Sequence, residues 1–321
     1  MDQPNPTVDV SVIIINWNTR QLLEDCLTSL PASCATHSFE VVVVDNNSTD
    51  NSQEMVRQKF PAVKLICNAT NVGFAHGNNQ GIQASCGRYV SLVNSDVKVL
   101  PGCHDKLVAF MDAHPALGIS GPRILNGDLT LQSSCRRFPS LWNNLCDAFA
   151  FRRFFPDSAF FAGEHMLYFK HDHIIHPDVL VGCFLFARRQ AVDAFGLLDE
   201  SFFMYGEDVD WCLRCWRSGW KIAFYPEAEA IHYRGGSSNA DPVRFAVVQQ
   251  RARQQFWKKH YSAAAGFGLA VLLAVENSLR WAMSAVTAAF KIRPRAEAVR
   301  RMQRSSACVK ALFTRGEPGI S

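Results

Sequence analysis

The chain has 321 residues, 48% hydrophobic and 19% charged, the balance of a folded protein with room for one large domain or two modest ones. Its net charge of +4 is uneven: residues 243–321 carry 14 Lys and Arg against 3 acids, leaving an acidic body with a basic tail. The acidic body and the lack of a recognised module argue against nucleic-acid binding, and eleven scattered cysteines argue against a disulfide scaffold.

The opening MDQPNPTVDV lacks a basic-then-apolar leader, so residues 1–9 read as a flexible N-terminus and the chain is expected in the cytoplasm. Val10–Ile15 is an apolar run of strand length, and Thr19–Leu30 follows with leucines at helical spacing. Glu40–Val44 is a second strand ending at Asp45, with Ser48 to Asp50 placed to cap a helix through Phe60. Val63–Cys67 is a third strand, residues 76–86 a helix, Tyr89–Val93 a fourth strand, and Pro101–His114 a helix with proline in its first turn. Buried strands alternating with helices predict an α/β fold with a mostly parallel sheet covered on both faces.

The pattern breaks after Pro122. Residues 123–180 mix aromatic, basic and histidine residues without a period, as in a variable region draped over a sheet; their histidines read as loop or acceptor-groove residues. Val181–Ala187 is a strand, Gly206–Arg217 a helix and Trp220–Arg234 extended. Cys212 and Cys215 have CxxC spacing but no second pair, so they read as core thiols. Pro242–Tyr261 is a basic helix, and Ser262–Phe290 is a strongly apolar helix or helix pair.

Within that last stretch Ala263–Val275 is uninterrupted, about 20 Å as a helix against a hydrocarbon core of about 30 Å. Lengthening it brings in Glu276 and Arg280. The expectation is therefore a helix hairpin lying on the membrane, held peripherally at the inner face by basic flanks that attract anionic lipid.

In open α/β sheets ligands sit beyond the carboxyl ends of the strands. Those ends carry Asn16 and Asn18, Asp45, the Asn71–Gly73 turn, and Asn94-Ser95-Asp96. Each alone is an ordinary turn or cap residue; together at one edge they form a binding crevice. No GxGxxG turn or phosphate loop accompanies them. Asp45 suits a base or ribose donor, and Asp96 a hard divalent cation. Further on, Glu207, Asp208 and Asp210 crowd the start of one helix, an arrangement easier to accept if one carboxylate faces a cleft.

The runs VSVIIINWN, VVVVDNNSTD, NVGFAHGNNQGI and VNSDV, and the block GCFLFARRQAVDAFGLLDESFFMYGEDVDWCLRCWRSGWKIAFYPEAEAIHYRGGS, resemble the family 2 glycosyltransferases of GT-A fold, in their rhamnosyltransferase-like branch, over roughly residues 9–260. The resemblance implies an inverting transferase. Asp45 would contact the nucleobase, with Asn16, Asn18, Asn71, Gly73, Asn94 and Asp96 on the donor side. Asn94-Ser95-Asp96 takes the place of the DxD metal motif, its first acid replaced, and His232 completes a site for Mn2+ or Mg2+. Glu207 and Asp208 are the catalytic pair with Asp208 as base; Asp178, Gly182 and Trp211 fall on the acceptor side. The implied donor is dTDP-rhamnose or a UDP-sugar, and the acceptor a glycan or lipid-linked glycan. The expected organisation is a catalytic domain over 10–240, with a donor half to 122 and an acceptor half from 123, and a helical tail over 241–321. The rival readings are a GT-A-like nucleotidyltransferase, which lacks its basic glycine-rich loop after strand one, and a non-catalytic binding protein.

Overall fold

The computed structural model describes residues 8–233 and 241–314. The amino-terminal half alternates strands β1 (Val10–Asn16), β2 (Phe39–Asp45), β3 (Lys64–Cys67) and β4 (Tyr89–Asn94) with helices α1 (Arg20–Ser33), α2 (Ser52–Lys59) and α3 (Phe74–Gln83). Then come β5 (Val97–Val99), α4 (Cys103–Ala113), β6 (Leu117–Leu125), and the short pieces β7 (Leu131–Gln132), β8 (Cys135–Arg136), α5 (Leu141–Ala148), α6 (Phe151–Phe154) and β9 (Val179–Leu180). The second half continues with β10 (Phe184–Arg188), α7 (Arg189–Phe195), α8 (Glu207–Arg217) and β11 (Lys221–His232), and ends in α9 (Pro242–His260), α10 (Ala263–Ala289) and α11 (Arg295–Phe313).

The main sheet runs β3-β2-β1-β4-β10-β6-β11-β5, with β7 added to β6. The pairs β3–β2, β2–β1, β1–β4 and β6–β11 are parallel, while β10 and β5 run antiparallel to their neighbours. Side chains alternate along a strand. Val10, Val12 and Ile14 therefore join α1 and α4 in one core, and Ile13 faces α3, α7 and α8 in the other. A strand buried on both faces needs an unbroken apolar run, which is why β1 and β2 were legible. Register brings Asn16 opposite Asp45, and Ile15 opposite Asn94, so three strand ends finish side by side.

The glycines of α3 have a packing reason. A Cβ at Gly81 would run into Ile13, and Gly77 leaves the same close approach to Ile15, so the helix lies directly on β1. Gly73 adopts φ +88, and a Cβ there would stand 2.5 Å from the Phe203 carbonyl oxygen. Phe74 N–H donates to that same carbonyl, tying α3 to the loop before α8.

Four expectations change. The strand expected over 181–187 begins only at Phe184. The central strand β6 was hidden because Gly118, Gly121 and Pro122 read as breakers; Gly118 is needed because Trp220 and Cys215 close on it. The apolar stretch is one continuous 27-residue helix, α10, and not a hairpin. Finally, the tail is docked on the body: Phe256 and Trp257 of α9 and Leu269 and Leu273 of α10 form a core with Phe202. A buried chain of hydrogen bonds from Asn277 to Gln250 and on to the Cys308 carbonyl locks α9, α10 and α11 together. Arg234, Gly235 and Gly236 lie outside the described residues.

Candidate active site

The carboxyl edge of the sheet is one hydrogen-bonded unit. Asn16 is fully buried and donates through Nδ2 to Asp45 Oδ2 (2.7 Å) and Ser48 Oγ (3.0 Å), while its Oδ1 accepts from Thr19. Thr19 Oγ1 meets Ser95 Oγ at 2.8 Å, which links the first strand end to the fourth. Asp45 is 1% exposed, and its other oxygen accepts from Ser48 N–H and Gln53 Nε2. Asn18, at φ 55, is exposed and accepts from Thr49 N–H. Asn71 Oδ1 accepts from Gly73 N–H, fixing the turn that precedes α3.

At the next strand end, Asp96 Oδ1 lies 3.2 Å from His232 Nε2. On the far side of the ring, Nδ1 sits 2.7 Å from Gln132 Oε1. The Gln132 amide is oriented by donating Nε2–H to Asn126 Oδ1 and the His232 carbonyl, so its oxygen faces the imidazole and Nδ1 is the donor. Nε2 is thereby presented to Asp96. Burial opposes charge on the ring, but the Cys183 sulfur and the Asp96 carboxylate outweigh it and push His232 up to about 10, so a cation binding at Nε2 would have to displace its proton. Asn94 Oδ1 is buried without a hydrogen-bond partner among the described residues.

These groups fit a divalent cation held jointly with a ligand. An imidazole nitrogen facing a carboxylate supplies two donors, and the orphaned Asn94 oxygen lies on the same edge. Among the described residues no group of three or more His, Cys, Asp or Glu could hold an ion alone, so ligand or water oxygens must complete the shell.

A cavity of about 600 Å³ opens beside this edge, reaching from Asn94 and His232 past Gly182 and Asp208 to α9, α10 and α11. Asp208 begins α8. Its Oδ2 accepts from Gly182 N–H (2.9 Å) and its Oδ1 from Val209 N–H (2.9 Å), leaving a second lone pair on each oxygen. A Cβ on Gly182 would come within 3.1 Å of Asp208 Cβ, so glycine is what allows the backbone donor so close.

The three crowded carboxylates differ in kind. Glu207 is 5% exposed; burial first and Asp208 second raise its carboxyl well above the ordinary value. Asp210 is fully buried and surrounded by Arg214 (2.8 Å), Lys259 (2.6 Å) and His260 (2.7 Å). Repulsion is thus eased by the raised Glu207 carboxyl and by the three partners of Asp210, while Asp208 faces the cavity.

A sequence profile of glycosyl transferase family 2 matches residues 11–175, half of the chain. The chain belongs to glycosyl transferase family 2. The glycosyltransferase is similar to N-acetylglucosaminyl-diphospho-decaprenol L-rhamnosyltransferase of Mycobacterium tuberculosis, with 28% identity over 268 residues, 78% of this chain and 84% of that one. It is also similar to dTDP-rhamnosyl transferase RfbF of Shigella flexneri, with 24% identity over 233 residues, 72% and 71% of the two chains. The solved mannosyltransferase PcManGT of Pyrobaculum calidifontis, in complex with GDP-Man and Mn2+, shares the fold at a TM-score of 0.56 and 18% identity, over 97% of this chain and 89% of that one. The fold is the GT-A fold, and three helices follow it at the carboxyl end.

Of the expected residues, Asn94, Gly182, Glu207, Asp208 and His232 line the glycosyltransferase's cavity. Two acceptor-side expectations need correction. Trp211 is fully buried, donates to the Gly196 carbonyl and packs edge-on against Phe195. Asp178 is not in the lining; its carboxylate accepts from Phe138 N–H and anchors the loop before α5. Of the loop histidines, His171 is buried and accepts from Ser134 and Cys135 N–H, whereas His165 lines the cavity and faces Asp147. Sequence reading missed Gln132 and the cavity's arginines. Both lie outside the family motifs, and only folding brings them to the site.

Proposed function

We propose that this glycosyltransferase is an inverting enzyme that moves rhamnose from dTDP-rhamnose to a lipid-linked glycan, with Asp208 as the general base. The observation that supports this reading is that Asp208, held by Gly182, lines one cavity with Asn94 and His232. Asp208 takes the proton from the acceptor hydroxyl as its oxygen attacks the anomeric carbon opposite the leaving diphosphate. One displacement inverts the centre, and no second carboxylate nucleophile is needed. A divalent cation bound by Asp96 and His232 would stabilise charge on the departing diphosphate. The names of the two rhamnosyltransferase relatives support the donor and the lipid-linked acceptor. Thermal unfolding against a panel of nucleotide sugars tests the donor: dTDP-rhamnose with Mn2+ should raise Tm most, and EDTA should remove the shift. Equal protection by UDP-hexoses would overturn the assignment.

Gln132 should matter to the metal although it does not touch it. Replacing it with leucine frees the imidazole tautomer, and Mn2+ affinity should fall by about 10–100-fold with little change in UDP affinity measured without metal. Titration calorimetry reads both.

The enzyme is further proposed to rest on the inner membrane surface. α10 presents Phe267, Met283, Val286 and Phe290 to solvent, between 52% and 75% exposed, although its other side is packed. By length and composition α10 could cross a membrane. Its buried Asn277 contact and the Glu276–Arg280 pair (2.5 Å) favour lying along the surface. Phe267→Glu with Phe290→Glu should abolish sedimentation with anionic vesicles while leaving Tm in place; unchanged sedimentation would sink the idea.

A further inference from the structure

The cavity continues well past Asp208, and its far wall comes from the tail and from the strand before α5. Six arginines line it. Three are matched by acids: Arg152 by Asp147 (3.3 Å), Arg253 by Glu164 (3.3 Å) and Arg280 by Glu276 (2.5 Å). The others are not. Arg136 donates to His165 Nδ1, Arg137 lies over the Tyr168 ring at 5.8 Å, and Arg304 has no acidic partner among the described residues.

We propose that Arg136, Arg137 and Arg304 bind a phosphate or diphosphate group on the acceptor. This rests on Asp208 being the base that faces that acceptor. Three guanidinium groups without a salt-bridge partner among the described residues line one cavity, and an anion bound there would relieve their mutual repulsion. Guanidinium forks suit phosphate oxygens because they can donate two parallel hydrogen bonds. On the proposed function the donor's own diphosphate lies elsewhere, at the Asn94–Asp96 edge beyond Asp208. An anion near α11 therefore belongs to the other substrate. Beside this wall, α10 packs on α5, where Gly268 meets Leu141. The outward side chains there, among them Phe267 and Phe160, are 73% and 61% exposed. Apolar surface next to a cationic wall suits an acceptor in which phosphate joins the sugar to a hydrocarbon chain.

Arg137 and Arg304 are both exposed, so truncating them leaves the core intact. Calorimetric titration of the full chain and of the Arg137→Ala/Arg304→Ala variant would use farnesyl diphosphate, farnesol, UDP with Mn2+, and mixed phosphatidylcholine–phosphatidylglycerol vesicles. Farnesyl diphosphate affinity should fall by about tenfold or more, as expected for lost charge-assisted hydrogen bonds. Farnesol and UDP affinities should stay within about twofold, since neither uses these forks. Unchanged farnesyl diphosphate binding would overturn the proposal. So would an equal loss of UDP affinity, which puts the arginines on the donor, or a loss confined to vesicles, which makes them lipid headgroup contacts. The base assignment is judged by the activity of Asp208→Asn, so the two failures are told apart.

Discussion

Asp208→Asn is expected to lower sugar transfer by about 10²–10⁴-fold, the usual contribution of a positioned general base. The amide keeps an oxygen to accept from Gly182 N–H and gives up only the contact with Val209 N–H in the first turn of α8, so the fold and the cavity wall should survive, and affinity for UDP with Mn2+ should hold. The neighbouring position supplies the contrast. Burial and the Asp208 carboxylate shift Glu207 toward its uncharged form, which Glu207→Gln mimics at the same size, so transfer should stay within about fivefold. Single-turnover rates with saturating donor separate the two. If Glu207→Gln were the dead variant and Asp208→Asn the active one, the roles would be reversed.

Loss of Asp210 should be the costliest single change to stability near the site. Asp210→Ala strands the His260 side chain, which is 5% exposed, and removes a partner from Arg214 and Lys259. Breaking a buried ion pair from one side costs about 3–5 kcal/mol. Lys259 is 36% exposed and keeps Asp199 at 2.6 Å, so the lower end, about 3 kcal/mol, is the better expectation. Urea unfolding would measure it.

The pH dependence follows. Burial alone would raise the Asp210 carboxyl, but hydrogen bonds from Lys259, His260 and Arg214 hold it below the ordinary value; Asp199, by the same opposition of burial to Lys259 and Ser201, sits at about 2. Groups depressed in the folded state stabilise it above their unfolded pKa, about 4, and that stability fades as pH falls toward the folded value. Stability should drop between about pH 4 and pH 2, and Asp210→Asn should flatten that limb. A variant with an unchanged acid limb would remove Asp210 from the account.

The amino-terminal half was legible because each step there is local. A strand buried on both faces must be continuously apolar, and a parallel strand must return through a helix, so β1 to β4 and their helices appear as alternating periods. The same logic put Asn16, Asp45 and Asn94 at one edge before any register was known. β6 was lost because its glycines serve contacts with Trp220, Cys215 and Leu180, and such contacts leave no local trace. Trp211 was misplaced for a related reason: proximity in sequence to Asp208 does not give the same helix face.

Sequence by itself determined the family, the alternation of strands and helices in the first half, and the presence of a carboxylate at the start of α8. Those rest on short-range patterns: hydrophobic period, turn residues and motif spacing. Tertiary structure decided how Glu207, Asp208 and Asp210 differ, because burial encloses Glu207 and partners from α8 and α9 occupy Asp210. It also decided that Gln132 orients His232 across 100 positions of chain, and that the tail walls the cavity. Charge state, side-chain direction and shared surface depend on neighbours remote in sequence, and those exist only once the chain has folded.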